Sequence, residues 1–262
     1  MIEFETIQLP PSHQVADNFA YRYYFTNEFG FASSAVRHIR RRRIEIVLEM
    51  LANLPAKDVL DIGCGPGESS IFLHRHFGTQ ARVIGIDIGW EFVELGTRIA
   101  EVNQISTKFL RGDACTLPFA GNSFDVAVTL EMVEHMPTWQ QFLREAHRVL
   151  KPGGSLVIST PTRAGFHSWL KRAWVRARGL QKTFQQYKKS GDVYERFIGR
   201  REMATELSTV GFERVAEKVK IFVFSFLPEP LFVINRACEP LLEALPGVNQ
   251  LGVTAFYHYR KL

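Results

Sequence analysis

The residues with the clearest chemical potential are three glycines in twelve positions, VLDIGCGPGESS (59–70), where an apolar run meets a helix-like pattern. Gly63, Gly65 and Gly67 let the backbone approach a ligand closely and turn sharply into a helix. The dinucleotide fingerprint G-x-G-x-x-G is not met, because Glu68 stands at the position of its third glycine. No G-K-[ST] follows, so the phosphate loop of nucleotide hydrolases is not met either. Asp61 and Glu68 flank the loop, and a pyrophosphate placed there would meet like charge.

A ligand carrying positive charge suits this loop better, and S-adenosylmethionine, with a sulfonium, an ammonium and no phosphate, is such a ligand. Two further acids agree. Asp87 ends the apolar run VIGID, where a carboxylate can accept both hydroxyls of a ribose, a placement that also suits NAD. Asp113, in RGDACTLPF, can accept the exocyclic amino group of an adenine. Each acid alone reads equally as a solvated loop residue or a helix cap. It is their succession along the chain that points to one site.

Those positions need a scaffold, and the apolar periodicity supplies one. KDVLDI, ARVIGID, TKFLRGD, SFDVAVTL and SLVIST read as strands. Helices are expected over about Glu68–Phe77, Trp90–Val102 and Arg200–Val210, and one opened by Pro137 over TWQQFLREAHRVL. Gly153 and Gly154 are expected to separate that last helix from the fifth strand. Alternating strands and helices predict an α/β fold, a mainly parallel sheet with helices on both faces, which binds ligands at the carboxyl ends of its strands. Residues 33–54 show helical spacing of Ile39, Ile46, Val47, Met50 and Leu51, with the run RHIRRRR (37–43) expected on one face of that helix. GFERVAEKVKIFVF follows the helix of Arg200–Val210, and LGVTAFYHYRKL reads as a closing strand.

The chain has 262 residues, 46% of them hydrophobic, enough for the core of one large domain. Its three cysteines, Cys64, Cys115 and Cys238, form no C-x-x-C pair, which argues against a zinc or disulfide framework and for a reducing compartment. MIEFETIQLPP has no long apolar stretch and predicts no secretory signal. The run IFVFSFL stops at Pro228, short of the ~20 residues of a spanning helix. A cytoplasmic protein is expected.

The pieces VLDIGCGPG, VIGIDIG, GDACTLPF, SFDVAVTLEMVEHM and LKPGGSLVISTPT, over roughly 57–162, resemble the class I S-adenosylmethionine-dependent methyltransferases, in particular the small-molecule branch that includes quinone-biosynthesis enzymes. The resemblance implies a Rossmann-like doubly wound sheet of seven strands with the last one antiparallel. It implies a division into an N-terminal helical cap (1–56), a cofactor-binding core (57–162), a basic and aromatic insertion (163–198) and C-terminal helices and closing strands (199–262). By position it places Asp61, Gly63, Cys64, Gly65 and Gly67 at the methionine part of the cofactor. Asp87 and Ile88 fall at the ribose, Asp113 and Ala114 at the adenine, and Leu130 and Glu131 beside the transferable methyl.

Methyl transfer from a sulfonium is an in-line displacement, and a base is needed only when the acceptor must lose a proton. TLEMVEHMP contains no [N/D]-P-P-[F/Y] motif, and no proline precedes a cysteine, so the patterns of nucleobase-nitrogen and cytosine-carbon methylation are missing. His135 is the candidate base, its ordinary pKa lying near neutrality. Packing under the cofactor or capping a turn would account for it as well. Glu131 and His135 at i, i+4 would give two metal ligands on a helix, but no third is visible and no metal is expected.

Between Glu145 and Asp192 there are ten Lys or Arg residues and no acid. Within that stretch Phe166, Trp169, Leu170, Ala173, Trp174 and Ala177 recur at helical spacing, which predicts an amphipathic helix. A lid over the site, a helix lying on an anionic membrane and a nucleic-acid surface all fit this composition. A small-molecule, hydrophobic or aromatic acceptor methylated at oxygen is the leading expectation. An RNA methyltransferase and a non-catalytic cofactor-binding regulator are the alternatives.

Overall fold

A computed structural model describes residues 7–25, 33–162, 196–223 and 229–262. The predicted amphipathic helix with Trp169 and Trp174 lies outside the described residues, as do most of the insertion and Phe224–Pro228. Two short helices, α1 (Ser12–Val15) and α2 (Phe19–Phe25), precede α3 (Ser34–Leu51), whose first turn is capped by the Ser33 hydroxyl accepting from the Val36 N–H. Then follow β1 (Asp58–Ile62), α4 (Glu68–Phe77), β2 (Arg82–Asp87), α5 (Trp90–Val102), β3 (Lys108–Arg111) and β4 (Phe124–Leu130). After a 3-10 turn at Val133–His135 come α6 (Trp139–Val149), β5 (Leu150–Pro161), α7 (Arg200–Val210), β6 (Phe212–Lys220), α8 (Glu229–Ala244), a second 3-10 turn at Val248–Gln250 and β7 (Thr254–Lys261).

The seven strands form one sheet in the order β3-β2-β1-β4-β5-β7-β6. The first five are parallel, and β7 runs antiparallel to both of its neighbours. Side-chain alternation divides the interior into two cores. Val59, Val126, Val128, Val157 and Phe256 face α3 and α4, whereas Leu60, Ala127, Leu156, Ile158 and Tyr257 face α6 and α7. A strand buried on both faces has no polar side to show, which is why VLDI and VAVTL read as continuous apolar runs. Winding outward from β1 to β3, then returning to β4, leaves a crevice between the carboxyl ends of β1 and β4.

Two local expectations are corrected. Gly153 and Gly154 do not separate α6 from β5; β5 starts at Leu150, opposite Phe124, and resumes at Ser155 opposite Val126. The residues between are looped out of register, with Gly153 at φ +75°. Pro137 stands just before α6, as expected, with Thr138 as the N-cap. The arginine run does not share a face, because successive residues on a helix are rotated by about 100°. Arg40 pairs with Glu68, Arg41 and Arg42 with Glu45, Arg42 also with Glu243, and Arg43 with Glu131.

Candidate active site

A cavity of about 600 Å³ opens over the carboxyl ends of β1, β2 and β4 and the loop after β3. It is lined by Gly63, Gly65, Asp87, Ile88, Asp113, Ala114, Leu130, Glu131 and His135, all named from the sequence. A smaller cavity of about 130 Å³ shares Gly63, Gly65, Leu130 and Glu131 with it and adds Cys64, Arg40 and Arg43. Asp61 and Gly67 line neither cavity among the described residues: Asp61 is turned to Ser69 and Ser70 at the start of α4, and Gly67 is that helix's N-cap.

The loop is shaped by β2. The N–H groups of Gly63 and Cys64 both donate to the Ile86 carbonyl, at 2.8 and 3.1 Å. Gly63 has φ +69°, and a Cβ there would run into the Met132 side chain. Gly67 has φ +82° at the N-cap of α4, and its Cβ would enter the Phe109 ring. Both positions therefore need glycine for two reasons at once, backbone conformation and close packing.

Asp61, 1% exposed, accepts hydrogen bonds from Ser69 and Ser70 at 2.6 and 2.5 Å through one oxygen. Its other oxygen has no hydrogen-bond partner among the described residues. Burial pushes its pKa up to about 6, with the charge of Asp87 adding to the shift and the serine hydroxyls opposing it. Asp87 accepts from the Gly65 N–H and the Gly89 N–H, both at 2.9 Å, which holds its carboxylate rigidly at the end of β2. Burial also raises the Asp87 pKa. Asp113 accepts from the Cys115 N–H at 2.8 Å, a local turn that fixes the third acid. Glu68 faces its own cation, Arg40, at 3.4 Å, so its charge does not add to that of Asp61 as the sequence suggested.

Glu131 (φ +53°) stands at the turn out of β4, bonded by Arg43 at 2.7 Å and by the Ser159 hydroxyl at 2.9 Å. It precedes the 3-10 turn that carries His135, so the two are not on one helix and the i, i+4 metal-pair reading is lost. The His135 side chain is 44% exposed, with Nε2 3.9 Å from the carboxyl of Glu134. Glu134 itself is 2% exposed, and burial and then neighbouring Glu131 raise its pKa well above the carboxylate range.

Sequence reasoning missed several residues of this site. Tyr24 of α2 lines both cavities, lies edge-on to Phe92 and stacks under the Arg40 guanidinium at 5.3 Å. Arg43 reaches Glu131 from α3, and Met132 and Phe92 complete the wall. Tyr24 and Arg43 come from N-terminal helices whose sequence carries no motif. Their only signal was an arginine run more cationic than a solvated helix face needs.

The cavity volume falls in the range of small-molecule sites. Its acceptor set, Asp87, Asp113 and Glu131 beyond the ends of β2, β3 and β4, with apolar side chains beside them, fits an adenosine carrying a cationic amino-acid tail. Comparison with known proteins agrees. The methyltransferase domain family matches residues 59–154. Demethylmenaquinone methyltransferase from Bacillus cereus is 30% identical over 179 residues, covering 65% of this chain and 75% of that protein. The chain belongs to the class I S-adenosylmethionine-dependent methyltransferases. It is an enzyme of the small-molecule branch of that family, and its cofactor is S-adenosylmethionine. Solved structures share the fold at low identity. The [4+2]-cyclase SpnF has a TM-score of 0.63 at 18% identity, over 98% of this chain and 99% of that one. Geranyl diphosphate C-methyltransferase from Streptomyces coelicolor A3(2), solved with S-adenosyl-L-homocysteine, has a TM-score of 0.58 at 17% identity, covering 87% and 81%. One fold thus carries a cyclase and a methyltransferase, so the reaction has to be argued from the site.

Proposed function

We propose that this methyltransferase acts on an apolar or aromatic small molecule, at an oxygen atom. The observation that carries the reading is the composition of the cavity wall, which joins acids and the glycine loop to His135, Leu130, Met132, Met136 and Pro137. An acceptor held against those apolar side chains is desolvated and lies next to an exposed imidazole. The name of the Bacillus relative, which specifies a demethylmenaquinone, supports a lipophilic acceptor.

In this reading the cofactor supplies a methyl group activated on a sulfonium, and the chain does the rest. Asp87, with Ile88 beside it, receives the ribose hydroxyls on the lone pairs left by its two backbone bonds. Asp113 and Ala114 receive the adenine. The amino-acid end meets Asp61 under Gly63–Gly67 and the guanidinium groups of Arg40 and Arg43 in the smaller cavity. Leu130 and Glu131 border the methyl, with Glu131 held in place by Arg43 and Ser159. Alignment of the two reactants contributes roughly 7–11 kcal/mol of barrier reduction. His135 then takes the hydroxyl proton as the oxygen attacks, worth about 10²–10⁴-fold.

The experiment incubates the protein with methyl-labelled cofactor and a total cell extract. Label is expected in the solvent-extractable small-molecule fraction and not in RNA. His135→Gln should lower the rate at neutral pH by about 100-fold, recover at high pH and leave S-adenosylhomocysteine affinity unchanged. Label in RNA, or full activity of the variant at every pH, would contradict the reading. Peripheral docking on anionic lipid belongs to the same proposal and is supported by the acid-free stretch between Glu145 and Asp192. Binding to anionic vesicles at low salt that fades as salt rises is expected; salt-independent binding, or none, would count against it.

A further inference from the structure

A second cavity, about 770 Å³, lies where β5 ends and α7 begins, against the β6–β7 edge of the sheet. Its wall carries Arg200, Arg201 and Arg214 against one carboxylate, Glu217. Glu217 is already engaged by Arg200 at 2.5 Å, and Arg214 lies 4.0 Å from it. Arg200 also donates to the Gln250 side-chain oxygen at 2.7 Å. Arg201 is exposed, and no hydrogen bond or ion pair of its side chain is present among the described residues. Three guanidinium groups face one spent carboxylate, a surplus of positive charge along this wall among the described residues.

Two further features point the same way. Helix α7 starts at Gly199 with no side-chain cap, so its first N–H groups, at the cavity wall, are open to an external acceptor. Tyr257 of β7 is wholly buried and lines the cavity, yet its hydroxyl has no hydrogen-bond partner among the described residues. That hydroxyl is close enough to Glu217 and Arg200 to feel their charges, and burial chiefly, then Glu217, raises its pKa and keeps it a donor. A buried hydroxyl without a partner is rare, and one at the wall of a cationic cavity is placed to donate to an anion.

We propose that this cavity binds an oxyanion, carboxylate or phosphate, carried by the methyl acceptor. The proposal rests on the reading above that the acceptor lies against Leu130, Met132 and His135, beyond the end of β4. Ser159, bonded to Glu131 at the main cavity, and Thr162, at the wall of the second, are three residues apart along β5 and its exit. That is on the order of 10 Å, a span a small amphiphilic molecule bridges. Arg201 and Arg214 would clamp the oxyanion from the exposed side, while the α7 N–H groups and the Tyr257 hydroxyl would donate from within. Glu217 would stay on Arg200, its charge kept from the ligand.

The test is calorimetric titration of the full chain with inorganic pyrophosphate and, separately, with benzoate, both with and without saturating S-adenosylhomocysteine. Saturable binding of at least one probe is expected, and the tighter of the two identifies phosphate or carboxylate as the group preferred. The exposed pair Arg201→Gln and Arg214→Gln together should weaken it by roughly tenfold or more, and Tyr257→Phe by several-fold, as for hydrogen bonds to a charged partner. S-adenosylhomocysteine affinity should be the same in all variants. No saturable binding of either probe, or binding indifferent to the arginine pair, overturns the proposal. Failure of S-adenosylhomocysteine to bind would instead count against the main site, leaving the pyrophosphate and benzoate result to be read by itself.

Discussion

Asp61 is the residue at which the needs of the folded chain and of its ligand diverge. Its buried carboxyl has a pKa of about 6, above the ordinary 3.8, so the native state holds a proton that the unfolded chain releases first. The sign follows: between about pH 4 and pH 6 the native state binds more protons, and its stability falls as pH rises through that window. Above pH 6 the cofactor-free protein carries a penalty of at most about 3 kcal/mol. Asp61→Asn should therefore raise the thermal midpoint of the cofactor-free protein at pH 7 and change it little near pH 4. The same substitution should weaken S-adenosylmethionine binding, because the unpaired oxygen beneath the loop is then no longer anionic. Thermal scans at both pH values, with and without cofactor, check this; a variant less stable at pH 7 than at pH 4, relative to wild type, would contradict it.

Among the elements, α3 and α8 are joined by a cluster of ion pairs. Glu239 of α8, 3% exposed, accepts from the Phe222 N–H at 3.2 Å and meets His38 of α3 at 2.9 Å, while Glu243 takes Arg42 and Lys220. Helix α8 therefore points its acids inward and leaves Leu231, Ile234 and Leu241 exposed, the reverse of an ordinary surface helix. Glu239→Ala should cost about 3–5 kcal/mol in urea unfolding, since it strands buried polar partners, whereas Arg41→Ala on the open side should cost less than about 0.5 kcal/mol. Equal costs would show that the buried cluster is no stronger than a surface pair. This element also shows how far the sequence could be read. Strands β1 to β4 and helices α4, α5 and α7 were legible because their apolar periods and glycines are local signals. The partners of Arg40, Arg42 and Arg43 were not, because Glu68, Glu243 and Glu131 lie far along the chain and only the folded topology brings them to α3. The start of β5 was misplaced for a related reason: the looped-out Lys151–Gly154 looks like a turn in sequence, while the pairing of Leu150 with Phe124 is a long-range fact.

At the scale of the whole molecule, the reversal of strand order between β1 and β4 determines where chemistry can occur, and Asp87, Asp113 and Glu131 meet there because the topology puts the ends of β2, β3 and β4 around one crevice. The central claim is that this crevice holds S-adenosylmethionine through Asp87 and its neighbours. Calorimetry of S-adenosylhomocysteine against wild type and Asp87→Ala, with NAD in a parallel cell, tests it most directly. The account predicts saturable binding to wild type, a loss of roughly 1.5–3 kcal/mol in the variant and no measurable NAD binding. An Asp87→Ala protein that binds as tightly as wild type, or NAD binding of equal strength, would contradict it.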